Sequence, residues 1–267
     1  MRPRWKQQVG RAIVSRSDTP LGRRAERVAG TIHALLRNDS ADLEVNGERW
    51  LCEALAAGAP EVVWDVGANK GDWARVARQA MPTARIRSFE PLPEPFAALE
   101  RLAAGDNRIQ AVNAALSDSA GTLELWRSPR HDTLTSAVHP GHDDAVSVHV
   151  DCRVGDEEVV AAGIDRIDLL KIDVEGHDME VLHGFDATIT AGRVAVVRFE
   201  FTLWAAKARR WLADYVDWFE ERGYTTGKLM PRSVDFRPYD AADEVFLRCN
   251  FVAVRPDSDE ARLLGAG

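Results

Sequence analysis

No two cysteines in this chain stand close enough to make a C-x-x-C pair. The three that occur, Cys52, Cys152 and Cys249, are scattered over 267 residues. That spacing speaks against a disulfide framework or a zinc knuckle and suits a reducing compartment. Apolar runs are short as well. None reaches the length needed to cross a bilayer, and the N-terminus has no continuous apolar core of the kind a secretory signal carries. There is no internal repeat, no low-complexity tract, and no linker that would divide the main body. We therefore expect a soluble, cytoplasmic protein with no membrane partner.

Basic charge is scarce over most of the chain. Residues 1–37 hold nine Lys/Arg against two acids, which leaves 25 basic and 40 acidic residues in the remainder. An acidic body is a poor nucleic-acid surface, so no nucleic-acid partner is expected. The basic segment could touch phosphate or anionic lipid, although a solvated helix face is the plainer reading. With 45% apolar and 28% charged residues the composition is globular. The length fits one large α/β domain with an appendage, and assembly into a homo-oligomer stays open.

What is present is organised around residues 62–73. An apolar, β-branched run follows a Gly58-Ala59-Pro60 breaker and leads through Asp65, Gly67, Asn69 and Gly71 to Trp73. This predicts a buried strand, a tight glycine turn and the first turn of a helix. Gly67 lets a ligand approach the backbone closely, and Gly71 stands where free helix N–H groups begin. Asp65 lies at the carboxyl end of the strand, where open α/β sheets bind ligands. The pattern D-x-G-x-x-x-G differs from the G-x-G-x-x-G of dinucleotide folds. A pyrophosphate disfavours a carboxylate there, whereas a ligand bearing amino, hydroxyl and sulfonium groups, such as S-adenosylmethionine, tolerates one.

The rest of the chain falls into order around that turn. Residues 21–36 carry Leu21, Ala25, Val28, Ile32 and Leu35 at helical spacing, which predicts an amphipathic helix packed on the body. Residues 50–57 read as another helix. Together, residues 1–57 form an N-terminal helical arm or cap, and 58–267 the main domain. A helix over 72–81 leads to a second strand, 85–91, ending in Glu90, 25 positions after Asp65. Nucleotide-binding α/β units place a ribose-binding carboxylate at roughly that distance, and Pro91 stiffens the turn. A third strand covers 109–116 and ends in Asn113, Ala115 and Leu116, where an adenine would need small apolar walls. Two additional antiparallel strands follow at 122–126 and 146–150. Between them the loop 130–144 holds His131, Thr135, Ser136, His139 and His142. Its spacing lacks the logic of two ligands on one helix face, so it reads as a polar active-site loop and no metal ligand is assigned.

The second informative stretch is residues 168–180, again strand, acidic turn, glycine and helix. In a parallel sheet Asp173 would lie beside the first turn. His177 follows at the start of the helix, and the two could act as acid/base partners. Lys171 is a candidate for a buried ion pair. A strand over 194–201 contains Glu200, a helix over 206–222 turns Trp211, Leu212 and Tyr215 inward, and 224–230 with 244–255 close the sheet as a final pair. The fold class is α/β, a Rossmann-like sheet with helices on both faces, an antiparallel final strand pair and an N-terminal helical addition.

Asp65-Val-Gly-Ala-Asn-Lys-Gly71, Phe89-Glu90-Pro91, Asn113-Ala-Ala-Leu116 and Lys171-Ile-Asp-Val-Glu-Gly-His177 together resemble the FkbM-type S-adenosylmethionine-dependent methyltransferases of class I. The resemblance spans about residues 45–255. It implies that Asp65, Gly67, Asn69 and Gly71 hold the methionine end of S-adenosyl-L-methionine, with Trp73 and Pro91 in the same two turns. Glu90 would hold the ribose and residues 113–116 the adenine. Asp173 would face the transferring methyl, with Asp173 or His177 as base. Glu175 and Glu200 would position a small-molecule acceptor, and Thr135 and Ser136 stand with them on the substrate side. Family members methylate mostly hydroxyl groups of sugars, polyketides and other natural products, and some act on peptide amide nitrogens. Two other readings compete. A nicotinamide oxidoreductase is disfavoured by the missing glycine and by Asp65. A cofactor-binding module without catalysis is disfavoured by Asp173 and His177.

Overall fold

The computed structural model describes residues 9–10, 13–128, 131–141 and 143–266, with side chains except at 128 and 131–134. The chain divides into two compact units, Met1–Asp39 and Ser40–Gly267. In the first, helix α1 (Pro20–Leu36) starts where the side chain of Thr19 accepts a hydrogen bond from the Gly22 N–H, with Pro20 in the first turn. The apolar stripe expected from the periodicity is present. Within this unit Leu21 is 73% and Leu35 67% exposed, and no residue of α1 is buried. Among the described residues, no helix is long and apolar enough to cross a membrane.

The second unit is built on an eight-stranded sheet. Five strands run parallel in the order β3 (Ile109–Val112), β2 (Arg85–Phe89), β1 (Val62–Val66), β8 (Ile167–Ile172) and β9 (Val194–Phe201). Three antiparallel strands continue it: β12 (Cys249–Val254), β10 (Thr225–Met230) and β11 (Ser233–Asp235). The expected final pair is therefore present, with β11 added at its edge. Side chains alternate along each strand and feed two cores. Trp64, Leu170 and Val197 join Phe185, Phe199 and Tyr215 on one face. Val63, Leu169 and Val196 join Leu51, Trp73 and Leu264 on the other. Helices cover both faces, which is why the central strands are apolar throughout. All three cysteines are buried thiols.

Two expected elements are divided. The run 109–116 leaves the sheet after Val112 and resumes as β4 (Ala115–Ser117), which pairs with β7 (Val146–Val154) in a separate sheet that continues through β5 (Gly121–Ser128) to β6 (His131–Ser136). The break has a cause: Asn113 Nδ2 donates to the carbonyls of Glu90 and Pro91, 2.9 and 3.0 Å away, and turns the chain. β5 (Gly121–Ser128) and β7 supply the expected antiparallel insertion. The helix expected over 206–222 is two, α8 (Leu203–Lys207) and α9 (Leu212–Glu220). Arg209 between them adopts a φ of 60°, and Glu244 accepts the N–H groups of Leu212 and Ala213 that open α9. Trp211, expected to point inward, instead precedes α9 and is 54% exposed.

The turn after β1 leaves no space for a side chain. Gly67 has a φ of 80°, and a Cβ there would meet the Asp173 carbonyl oxygen at 1.9 Å. Gly67→Ala should therefore destabilise the protein by about 1–3 kcal/mol or more through overpacking and backbone strain. Denaturant unfolding checks this, and unchanged stability would show that the two turns are not in such contact.

Candidate functional site

A cavity of ≈ 750 Å³ opens at the carboxyl ends of the parallel strands. That is the edge at which open α/β sheets bind ligands. Parallel pairing of Val66 with Ile172 sets the β1 and β8 turns side by side, and the Asp173 N–H donates to the Val66 carbonyl at 3.0 Å. Pairing of Val66 with Phe89 does the same for the β1 and β2 turns. Three turns far apart in sequence thus share one wall.

On the β1–β3 half, Gly67, Asn69, Glu90, Pro91, Ala115 and Leu116 line the cavity, joined by Phe89 and Leu92. Glu90 is 6% exposed. Its two carboxylate oxygens accept the N–H groups of Asn69 and Leu92 at 3.0 and 2.8 Å, which fixes the side chain against the wall. Burial pushes its pKa up to about 7, against the pull of those two N–H groups. Each oxygen keeps a further lone pair, so the carboxylate can still accept two hydroxyls.

Four of the expected cofactor residues stand behind the wall rather than on it. Asp65 is fully buried, with Oδ1 2.8 Å from Lys171 Nζ. Trp73 is buried, its ring centroid 5.6 Å from the same ammonium. Gly71 faces Leu99 and Leu102, and Asn113 holds the β2 turn through the two carbonyls already described.

On the β8–β9 half, Asp173, Glu175, His177, Glu200 and Thr135 line the cavity. Ser136 is buried beneath them, its Oγ donating to the Glu175 carbonyl at 2.6 Å. That bond holds Glu175 in a turn where its φ is 53°. Asp173 Oδ2 lies 3.1 Å from an Arg198 nitrogen and 3.7 Å from Lys171 Nζ. Burial works against its charge, but these two cations outweigh burial and hold its pKa below the ordinary carboxylate value. Among the described residues no cation forms an ion pair with Glu175. Burial first, then Asp173, raises its pKa to about 7. Glu200 is raised well above the ordinary carboxylate value by burial first, then by Asp173 and Glu175. Burial lowers the pKa of His177, against the pull of Glu180 and Asp118, and its Nε2 lies 2.8 Å from Ser117 Oγ.

Several functional-looking residues escaped the sequence reading. Arg198 is 2% exposed and ties Glu48 on α2 (Glu48–Leu55) to Asp173 and Asn250. Two charged residues, Arg198 and Glu200, inside an otherwise apolar strand were the available signal. Arg248 reaches Glu200 at 3.4 Å. In the polar loop, His139 packs edge-on against Trp126, and its Nδ1 accepts from the Gly141 N–H at 3.0 Å. Arg130, His142 and the side chain of His131 lie outside the described residues.

Residues 65–226, more than half of the chain, match the model of the methyltransferase FkbM domain. The chain belongs to this FkbM family. Three curated relatives give the range of resemblance. Hexuronic acid methyltransferase AglP of Haloferax volcanii is 28% identical over 160 residues, 58% of this chain and 63% of that one. 31-O-demethyl-FK506 methyltransferase FkbM of Streptomyces tacrolimicus is 33% identical over 156 residues, 47% of this chain and 60% of that one. 2-O-methyltransferase NoeI of Sinorhizobium fredii is 27% identical over 175 residues, 59% and 70% respectively. The chain thus spans about three fifths of the length of two of these relatives. The matched region of this FkbM member begins at Asp65, runs through both acidic turns and ends in β10.

Glu90 generates a prediction with a definite sign. A carboxylate accepts two hydroxyls and a carboxylic acid does so less well, so affinity for a ribosyl ligand such as S-adenosylhomocysteine should fall as pH drops below about 7. Glu90→Ala should weaken binding by about 1.5–3 kcal/mol, and Glu90→Gln should flatten the pH dependence. Calorimetry across pH 5.5–8.5 checks both. Unchanged affinity in a folded Glu90→Ala variant would remove this residue from the site.

Proposed function

We propose that this chain is an S-adenosylmethionine-dependent methyltransferase that methylates a hydroxyl group of a small molecule. One observation carries the reading. A single cavity has a clamped carboxylate suited to a ribose on its β1–β3 half, and an imidazole among acids on its β8–β9 half. The relatives' names, which include a hexuronic acid, a 2-O position and a 31-O position, support hydroxyl acceptors.

The residues fit the donor. Glu90 would hold the ribose, Phe89, Leu92 and Leu116 would flank the base, and the backbone at Gly67 and Asn69 would face the amino-acid end. When bound, S-adenosylmethionine supplies a methyl group on a positively charged sulfur. An acid-lined wall suits such a cation, and Asp173 stays anionic because Lys171 and Arg198 sit beside it. What remains for the protein is to hold an acceptor hydroxyl in line, which is worth up to about 7–11 kcal/mol of barrier. His177, whose pKa is lowered by burial and whose Nε2 lies beside Ser117 Oγ, would take the hydroxyl proton and add about 10²–10⁴-fold. Thr135 and Glu175 on the same wall would orient the acceptor. Methylation of an amide nitrogen has no specific observation in its favour.

Calorimetry with S-adenosylmethionine and S-adenosylhomocysteine tests the reading first. Saturable binding is expected, and absence of binding at millimolar ligand would overturn it. Asp173→Asn and His177→Ala test the chemistry. Each should lower the single-turnover rate at least about 10²-fold while changing donor affinity less than about tenfold. Wild-type rates in both variants would place the proton acceptor elsewhere.

A further inference from the structure

We propose that Asp173, Glu175 and Glu200 form a binding site for one hard divalent cation, Mg²⁺ or Mn²⁺. One carboxylate oxygen from each lies within 4.8 Å of the others. Two oxygens on Mg²⁺, at about 2.0–2.1 Å from it, are at most about 4.2 Å apart, so a small inward turn of the Glu175 or Glu200 side chain would close the three oxygens on one ion. An all-oxygen donor set selects hard cations over zinc or copper.

A cluster of acids is common on protein surfaces, but this one is not on the surface. Glu200 is 7% exposed, and its Oε2 is buried with no hydrogen-bond partner among the described residues. A buried carboxylate oxygen without a donor is unfavourable by about 1–3 kcal/mol or more, which a bound cation would relieve. The neighbouring cations do not fill the gap. Arg198 is shared among Glu48, Asp173 and Asn250, and Lys171 is paired with Asp65. Arg248 approaches Glu200 through Oε1 at 3.4 Å and is 38% exposed, so it can turn outward. The Glu175 carboxylate has no hydrogen bond or ion pair among the described residues.

The fold builds the site on purpose-made supports. Asp173 is anchored by its N–H to Val66, Glu175 by the Ser136 hydroxyl, and Glu200 by its place in the buried strand β9. The cation would sit in the acceptor half of the cavity, open to it on one side. Its remaining positions would then take oxygens of the acceptor, favouring compounds with two neighbouring oxygens, such as a vicinal diol or a hydroxy acid. That substrate preference rests on the methyl-transfer reading; the binding of the ion does not.

The test uses the full chain, freed of metal with chelator and without donor. Mn²⁺ is titrated by electron paramagnetic resonance and Mg²⁺ by calorimetry. One ion per chain is expected, with a Kd of about 1 mM or tighter. Glu200→Gln and Glu175→Gln should each weaken it at least about tenfold, while Glu157→Gln, an exposed acid of helix α5 (Gly155–Ala162), leaves it unchanged. S-adenosylhomocysteine affinity is measured on every variant as a check of folding. No saturable ion binding by the wild type, or equal binding in all variants, overturns the inference. Donor binding without ion binding would sink this site and leave the methyl-transfer reading standing. Ion binding lost in the two variants, with no donor binding by the wild type, would do the reverse.

Discussion

The site depends on a buried run of charges that crosses three strands. Asp65 pairs with Lys171, Lys171 stands near Asp173, Asp173 pairs with Arg198, and Arg198 reaches Glu48 and Asn250. Such groups are rarely buried at all, and removing one partner of a buried pair typically destabilises by about 3–5 kcal/mol. The run joins β1, β8 and β9 from inside and adds α2 from the N-terminal side of the unit. It also sets the electrostatics of the cavity. Because Lys171 and Arg198 are both spent on Asp173 and its neighbours, Asp173 is held anionic while Glu175 and Glu200 are left underneutralised.

That imbalance is the physical character of the β8–β9 half of the cavity. Burial alone raises the pKa of a carboxyl group, and a second carboxylate nearby raises it further. Glu175 and Asp178 are both pushed up to about 7. Glu90, on the other half, reaches a similar value through burial with much weaker help from neighbouring charge. One cavity thus contains a clamped carboxyl group with a raised pKa on one half and a cluster of underneutralised carboxyl groups on the other.

Much of this arrangement was legible in the sequence because strand ends and turns are short-range features. The two acidic glycine turns predicted parallel neighbouring strands, and the register of Val66 with Ile172 makes them neighbours. The distance from Asp65 to Glu90 marked the end of β2. What was not legible depends on long-range contacts. Arg198 meets Glu48 across 150 positions of sequence, and no local pattern announces such a partner. Asp65 shows the same limit from the other side. Its type and place suggest a ligand contact, yet its partner Lys171 is supplied by another strand, and the pair lies behind the wall. The break after Val112 comes from one asparagine side chain bonding to carbonyls of a different turn. The break at Arg209 carries no glycine or proline to mark it.

A crystal structure of the full chain with S-adenosylhomocysteine would test the central claim most directly, because it locates the donor relative to both halves of the cavity. The account predicts ribose hydroxyls within hydrogen-bond distance of the Glu90 carboxylate, the base against Leu92 and Leu116, and the sulfur turned toward Asp173 and His177. A ligand bound elsewhere, or one in the same cavity with its ribose away from Glu90, would contradict it.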